Sequence, residues 1–194
     1  MNFSKLLSSI NPPGENRFIL GIDGLSRAGK TTFTKKLCDH LGDSTPYYAF
    51  HIDEHIVERD KRYHTGYESW YEYYYLQWDI DWLTENFFKK LKSGKELYLP
   101  FYNNKEDYHQ WKNIKLPDPC LIIIEGVFLQ RSVWRKYFDY VMYLDCSKDI
   151  RYSREKVNNQ HDLEKLEHRY WRAENYYLTK IAPKENADII LKGD

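Results

Sequence analysis

Eight consecutive residues, Gly24-Leu25-Ser26-Arg27-Ala28-Gly29-Lys30-Thr31, read G-x-x-x-x-G-K-T. That spacing asks for a strand before it and a helix after it. The apolar run Phe18-Ile19-Leu20-Gly21-Ile22 supplies the strand, and Thr32-Phe33-Thr34-Lys35-Lys36-Leu37 supplies a helix-like continuation. Gly24 and Gly29 let backbone N–H groups approach phosphate oxygens with no Cβ in the way. The helix N-terminus adds unpaired N–H donors and the positive end of its dipole. In such a loop the Lys30 ammonium reaches the β- and γ-phosphates of a nucleotide, and the Thr31 hydroxyl ligates Mg²⁺. Gly24, Leu25, Ser26, Arg27, Ala28, Gly29, Lys30, Thr31 and Thr32 are therefore the expected nucleotide-binding residues.

The rest of the chain alternates short apolar runs with longer helical patterns. Strands are expected at 18–22, 47–52, 121–124, 140–144 and 188–191, and helices at 30–41, 79–92, 147–158 and 163–181. Near-continuous apolar runs such as Leu121-Ile122-Ile123-Ile124 suit strands covered on both faces. This βαβα rhythm predicts an α/β, doubly wound, mainly parallel sheet. Ligands of such sheets bind at the carboxyl ends of the strands, so the chemistry should cluster just beyond each run. Asp53 closes the second run, where a carboxylate can accept a proton from a hydroxyl or help hold the metal. Glu125 closes the third, at the place of the acidic residue that completes a Mg²⁺ site. Arg151 and Arg154 follow the fourth as i, i+3 neighbours and are the expected partners of a transferring phosphoryl group. Arg169 and Arg172 repeat that spacing in weaker context.

Other features set limits. With 194 residues the chain fits one domain. The 29 basic and 29 acidic residues balance, so no nucleic-acid or anionic-membrane partner is expected. No apolar run is long enough to span a bilayer. Residues 1–11 read as a short amphipathic helix with Phe3, Leu6, Leu7 and Ile10 on one side, leading into a loop up to residue 16. Three cysteines without metal-like spacing suggest reduced thiols and a cytoplasmic location. His51 and His55 bracket Asp53 but lie in different elements, so zinc is disfavoured; either could contact substrate. Trp70, Tyr74, Trp78 and Trp82 recur every four residues, as do Tyr67, Tyr71 and Tyr75. Such a helical stripe is usually packing, with stacking on a planar substrate or a subunit contact in a homo-oligomer as alternatives.

The order of these motifs resembles the uridine kinase family of P-loop kinases, with phosphoribulokinase, pantothenate kinase and nicotinamide riboside kinase as relatives. The resemblance runs from about Arg17 to Leu191. Phe50-His51-Ile52-Asp53 is similar to the strand that ends in that family's catalytic Asp. Leu99-Pro100-Phe101-Tyr102 is similar to the segment whose Tyr lines the nucleoside pocket. Ile123-Ile124-Glu125-Gly126 is similar to its acidic strand end, and Asp149-Ile150-Arg151-Tyr152-Ser153-Arg154 to the start of its lid. The resemblance implies a P-loop NTPase fold with a five-stranded sheet and a helical lid at about 147–175. It implies an acceptor-site insertion at about 54–115, ATP and Mg²⁺ as cofactors, and a nucleoside-like hydroxyl acceptor. Lys30, Asp53, Arg151 and Arg154 would then be catalytic, with Thr31, Glu125 and Asp53 at the metal and Tyr102 at the acceptor. Two departures stand out. Gln77-Trp78-Asp79 is the nearest match to the family's His-Pro-Asp stretch, which makes Asp79 a substrate candidate. Asp107 stands where uridine kinases carry a base-contacting His. Kinases of a vitamin precursor or a sugar phosphate, and an ATP-binding regulatory protein, remain the alternatives.

Overall fold

The computed structural model describes residues 3–10, 16–158 and 165–193. Parts of the expected N-terminal loop (11–15) and lid (159–164) lie outside the described residues. Among these residues the strands are β1 (Phe18–Asp23), β2 (Tyr47–His51), β3 (Glu96–Asn103), β4 (Tyr108–Lys115), β5 (Leu121–Gly126), β6 (Tyr140–Asp145) and β7 (Ile189–Lys192). Five of them make one sheet in the order β2-β5-β1-β6-β7. Every pairing within it is parallel. β1 sits at the centre, so the loop that follows it emerges where the strand order reverses, the usual ligand crevice of such sheets.

Alternation along the strands builds two cores. Leu20, Ile22, Leu121 and Ile123 face the helix Lys30–Leu41, which contributes Leu37 and Leu41. The N-terminal helix Phe3–Ile10 adds Leu6 and Ile10 to that layer. Ile19, Phe50, Ile122 and Ile124 point the other way, against Trp78, Phe87, Phe128, Trp134 and Tyr177. All six residues of β5 are buried, as expected for a strand with cover on both faces.

Most of the aromatic stripe packs on the core, while Tyr67 stays exposed. Trp78 and Tyr74 are buried in the second core, and they surround a fully enclosed cation. The Arg131 guanidinium lies 4.5 Å from the Tyr74 ring, 4.8 Å from Trp134 and 5.4 Å from Trp78. Its Nη2 donates to the Tyr74 carbonyl at 2.9 Å. A desolvated cation–π contact is worth about 2 kcal/mol, whereas an unpaired buried ion costs several. The carbonyl and the surrounding rings are therefore both needed.

Two differences from the sequence reading have local causes. The pattern at 79–92 predicts one helix, but the chain forms Ile80–Asn86 and then a tight turn, Phe88–Lys90. Phe87 and Phe88 are both buried, and adjacent residues on a continuous α-helix diverge by about 100°. Breaking the helix at Phe87 brings both rings to one core. The antiparallel β3–β4 hairpin lies inside the expected insertion as an unanticipated element. β4 is mostly exposed and so shows no apolar face, and Pro100 interrupts the pattern of β3.

Candidate active site

The P-loop backbone takes the conformations that its glycines permit. Gly24 (φ 152°) and Gly29 (φ 93°) both lie in the region that favours glycine. A Cβ on Gly24 would stand 2.8 Å from the Leu144 carbonyl. Arg27 adopts φ 64° without that freedom, a strained position of the kind found at ligand clamps. Lys30 is buried, and its Nζ donates to the Leu25 carbonyl at 3.0 Å. The ammonium is thus held over the loop that it would share with a phosphate.

Strand register brings the acidic residues to the same place. β5 pairs Glu125 with Ile22 on one side and with His51 on the other. The Thr31 hydroxyl donates to Glu125 Oε1 at 2.9 Å, and His51 Nδ1 donates to the same oxygen at 2.6 Å. Burial pushes the Glu125 carboxyl up. The His51 hydrogen bond, the charge of Lys30 and the Thr31 hydroxyl outweigh it, so the group sits below its ordinary value. The carboxylate in turn raises the His51 imidazole, against the effect of burial.

Asp53 lies two residues past β2, in the short turn Ile52–His55. Two contacts fix that turn. Trp78 Nε1 donates to the Ile52 carbonyl at 2.9 Å. A Cβ on Gly126 would fall 2.0 Å from Ile52 Cγ2, so only glycine lets β5 and the turn come this close. That close approach, not a change of chain direction, is what Gly126 provides. Asp53 opens to the solvent of the cleft, yet protein crowds around its carboxyl. This enclosure raises its pKa, against the pull of Lys30, and the negative charge of Glu125 adds to the rise.

Asp53, Glu125, Lys30 and Thr31 line one cleft of about 890 Å³ with Arg151 and Arg154, at the upper end of the usual range for small-molecule sites. Arg151 is already engaged. Its Nη1 pairs with Glu174 Oε2 at 2.9 Å and donates to the Ser26 carbonyl at 3.1 Å. Glu174 Oε1 accepts from the Ser26 N–H at 2.9 Å. In this geometry Arg151 braces the P-loop through one nitrogen, Nη1, while the residue lines the cleft. Arg154 Nη1 donates to the Arg27 carbonyl at 2.8 Å. Tyr73 meets the loop from the insertion side, its hydroxyl 3.1 Å from Ser26 Oγ.

The four substrate candidates part company. The Tyr102 hydroxyl donates to Asp107 Oδ1 at 2.7 Å, so these two stand together at the end of the hairpin. Asp79 is exposed and caps the helix Ile80–Asn86, accepting from the Trp82 N–H at 2.9 Å. His55 is buried among Phe50, Phe87 and Phe101. Its Nδ1 donates to the Pro100 carbonyl at 2.7 Å. None of the four lines the cleft of Lys30 and Asp53.

Burial pulls the His55 imidazole down to about 4 from an ordinary 6.5. Between those values the unfolded chain binds the proton and the folded chain does not. Stability is therefore full above pH 6.5 and falls by about 3 kcal/mol as pH drops towards 4. Urea unfolding from pH 7 to 4.5 measures this, and His55→Asn should flatten the curve. Parallel curves for the two proteins would assign the loss to other groups.

Among the described residues, no group of three or more His, Cys, Asp or Glu could hold a metal ion. The site instead offers hard oxygen donors, the Thr31 hydroxyl and the Glu125 carboxylate, with Asp53 in the same cleft. Few protein oxygens, with waters and phosphates completing the shell, suit Mg²⁺. Sequence reasoning missed Glu174, Tyr73 and the pairing of His51 with Glu125. Each acts through a partner distant in the chain, and none belongs to a local motif.

A parallel sheet with this strand order, and a P-loop facing two carboxylates, define the class of P-loop small-molecule kinases. Comparison with known proteins gives the particular group. The sequence profile of the Phosphoribulokinase / Uridine kinase family matches residues 19–193, and the chain belongs to that family. It is 30% identical to a uridine kinase of Staphylococcus aureus over 187 residues, 89% of this chain and 86% of that one. A solved structure described as a possible uridine kinase from Bacillus stearothermophilus is 45% identical. It superposes with a TM-score of 0.86 over 97% of this chain and 96% of its own. The D-glycerate 3-kinase of Cryptococcus neoformans, 11% identical, shares the fold with a TM-score of 0.54 over 94% of this chain and 86% of its own. No helix among the described residues is long and apolar enough to cross a membrane.

Proposed function

We propose that this protein transfers the γ-phosphoryl group of ATP, with Mg²⁺, to a hydroxyl of a nucleoside-like small molecule in the cytoplasm. One observation carries the reading: Asp53 and Glu125 share a single cleft with Lys30 and Thr31. Backbone N–H groups of the P-loop hold the β-phosphate, and Lys30 bridges β and γ. Thr31 and Glu125 would hold the Mg²⁺, which would neutralise phosphate charge. Asp53 takes the proton of the attacking hydroxyl, as a desolvated carboxylate with a raised pKa is suited to do. Arg151 and Arg154 close on the transferring phosphoryl group, Arg151 also holding the loop through Glu174. Positioning and charge stabilisation supply most of the rate. The S. aureus uridine kinase relative supports a nucleoside acceptor. The charged pair of Arg62 and Asp107 flanking Tyr102 favours, as a second reading, a more polar hydroxyl compound.

ADP release from Mg·ATP across a panel of nucleosides, vitamin precursors and sugar phosphates tests the reading. Stimulation by a pyrimidine nucleoside is the expected result. Stimulation by another acceptor alone reassigns the substrate, and ATP binding without stimulation by any compound removes the kinase reading. Tyr102→Ala should raise the acceptor KM about 10-fold or more and leave the ATP KM within twofold, since it removes a hydrogen bond in a charged network. Equal effects on both substrates would place Tyr102 outside the acceptor pocket.

A further inference from the structure

The N-terminal helix Phe3–Ile10 plays no part in the chemistry described above, yet one of its residues reaches the cleft. Leu6 and Ile10 are buried in the core. Phe3, three residues before Leu6, shares their face of the helix but is only partly covered. It lines the cleft that holds Lys30, Asp53 and Glu125. Its ring centroid stands 5.5 Å from that of Phe33 and 5.7 Å from that of His40. The Ser4 hydroxyl, 3.1 Å from His40 Nε2, joins the same two helices. Phe33 and Lys36, on the helix that follows the P-loop, line the cleft as well.

Strand order fixes which end of the cleft this is. Thr31 meets Glu125 of β5, and Asp53 follows β2, so the metal and the γ-phosphate belong on the β2–β5 side of β1. A nucleotide held there by its phosphates runs the other way, towards β6 and β7. Three strand spacings separate β5 from β7, about 14 Å, a span that a nucleoside triphosphate covers. The chain leaving β7 presses on the P-loop: a Cβ on Gly193 would stand 2.6 Å from the Ala28 carbonyl. Lys192 and Gly193 line the cleft. The helix Lys30–Leu41 packs on β5, β2 and β1. Met142 and Leu144 of β6, with Ile189 and Leu191 of β7, share their core with Leu6 and Ile10, which places the N-terminal helix towards the β7 edge. Trp171 and Tyr152 also line the cleft, but the Trp171 ring is already occupied. Lys148 Nζ stands 3.7 Å over it and Tyr152 packs on it at 5.9 Å.

We propose that the N-terminal helix completes the nucleotide site, with Phe3 and Phe33 forming the wall against which the base of the phosphate donor packs. This rests on the nucleotide reading of the P-loop given above and deepens it. Backbone N–H groups and Lys30 suit phosphate oxygens and offer nothing to a planar, largely apolar ring. Small-molecule sites are lined mainly by apolar and aromatic side chains with a few placed polar groups. At this end the cleft supplies two phenyl rings, with Lys36 and Lys192 beside them. Aromatic side chains take up nucleobases through the π-face that every base has. Phe3 comes from outside the strand–loop–helix unit of the P-loop, so the grip on the phosphates and the grip on the base are separable.

The test is calorimetric titration of the full-length chain, and of Phe3→Ala and Phe3→Leu, with ADP and with inorganic tripolyphosphate, alongside thermal melting. Phe3→Ala should weaken ADP binding about 5- to 150-fold, the range for removing one aromatic partner of a base. It should leave tripolyphosphate binding within about twofold. Phe3→Leu keeps an apolar side chain beside Phe33 but has no ring. It should melt close to the wild type and still bind ADP less tightly, and it serves as the test if Phe3→Ala does not fold. An unchanged ADP affinity in the folded variants overturns the inference. An equal loss for ADP and tripolyphosphate also overturns it, since the helix would then only steady the P-loop. Both of those results leave the nucleotide reading standing. A wild-type protein that binds neither compound would end that reading, and the inference with it.

Discussion

Lys30→Ala should reduce turnover by at least about 10³-fold. In the proposed reaction the ammonium spans the β- and γ-phosphates while the bond between them breaks, and removing one preorganised donor of this kind costs about 10²- to 10³-fold even without a full charge. The two arginines of the cleft are already engaged. Arg151 is committed to Glu174 and Ser26, and Arg154 Nη1 already serves the Arg27 carbonyl. The side chain also satisfies the Leu25 carbonyl, so a melting curve of the variant must accompany the assay. ADP release at saturating acceptor measures the effect. A folded variant with unchanged turnover would mean that residues 24–31 do not handle the transferred phosphate.

Asp53→Asn should lower kcat by roughly 10²- to 10⁴-fold if the carboxylate takes the proton of the attacking hydroxyl. The substitution keeps shape, and Trp78 and Gly126 hold the turn independently of the side chain. Asp53 sits above the ordinary carboxylate pKa because of its enclosure, and only its ionised form is a base. Activity of the wild type should therefore fall as pH drops through that raised value, earlier than a normal aspartate would allow. The variant should lose that acid limb. A loss below about 10-fold, about 1.4 kcal/mol of barrier, would assign Asp53 a structural task.

Legibility in the sequence followed the range of the interaction. The P-loop reads directly because its chemistry is local: two glycines, a lysine and a threonine act within eight residues. The five parallel strands read nearly as well, since burial on both faces leaves unbroken runs such as Leu121-Ile122-Ile123-Ile124. Asp53 and Glu125 stood out because strand ends meet at one edge of such a sheet. The hairpin did not, for its outer strand is exposed and carries no apolar period. Gly126 admits Ile52, a partner 74 positions away that no local pattern could reveal. Glu174 and Tyr73 were silent for the same reason. Their meaning lies in what they face, and that is set by the packing of the lid against the insertion.

The helix that carries Arg169 and Glu174 ties the P-loop to the segment around Arg62 and Glu72. Arg169 grips the Arg62 loop and Glu72, and Glu174, five residues on, grips Ser26 and Arg151. At 1.5 Å per residue those two grips lie only about 8 Å apart along one rod. A displacement of the rod would disturb both grips at once. If nucleotide binding displaces that helix and so changes the affinity for the acceptor, linkage requires the acceptor to change the nucleotide's affinity by the same factor. The two sites answer to one balance.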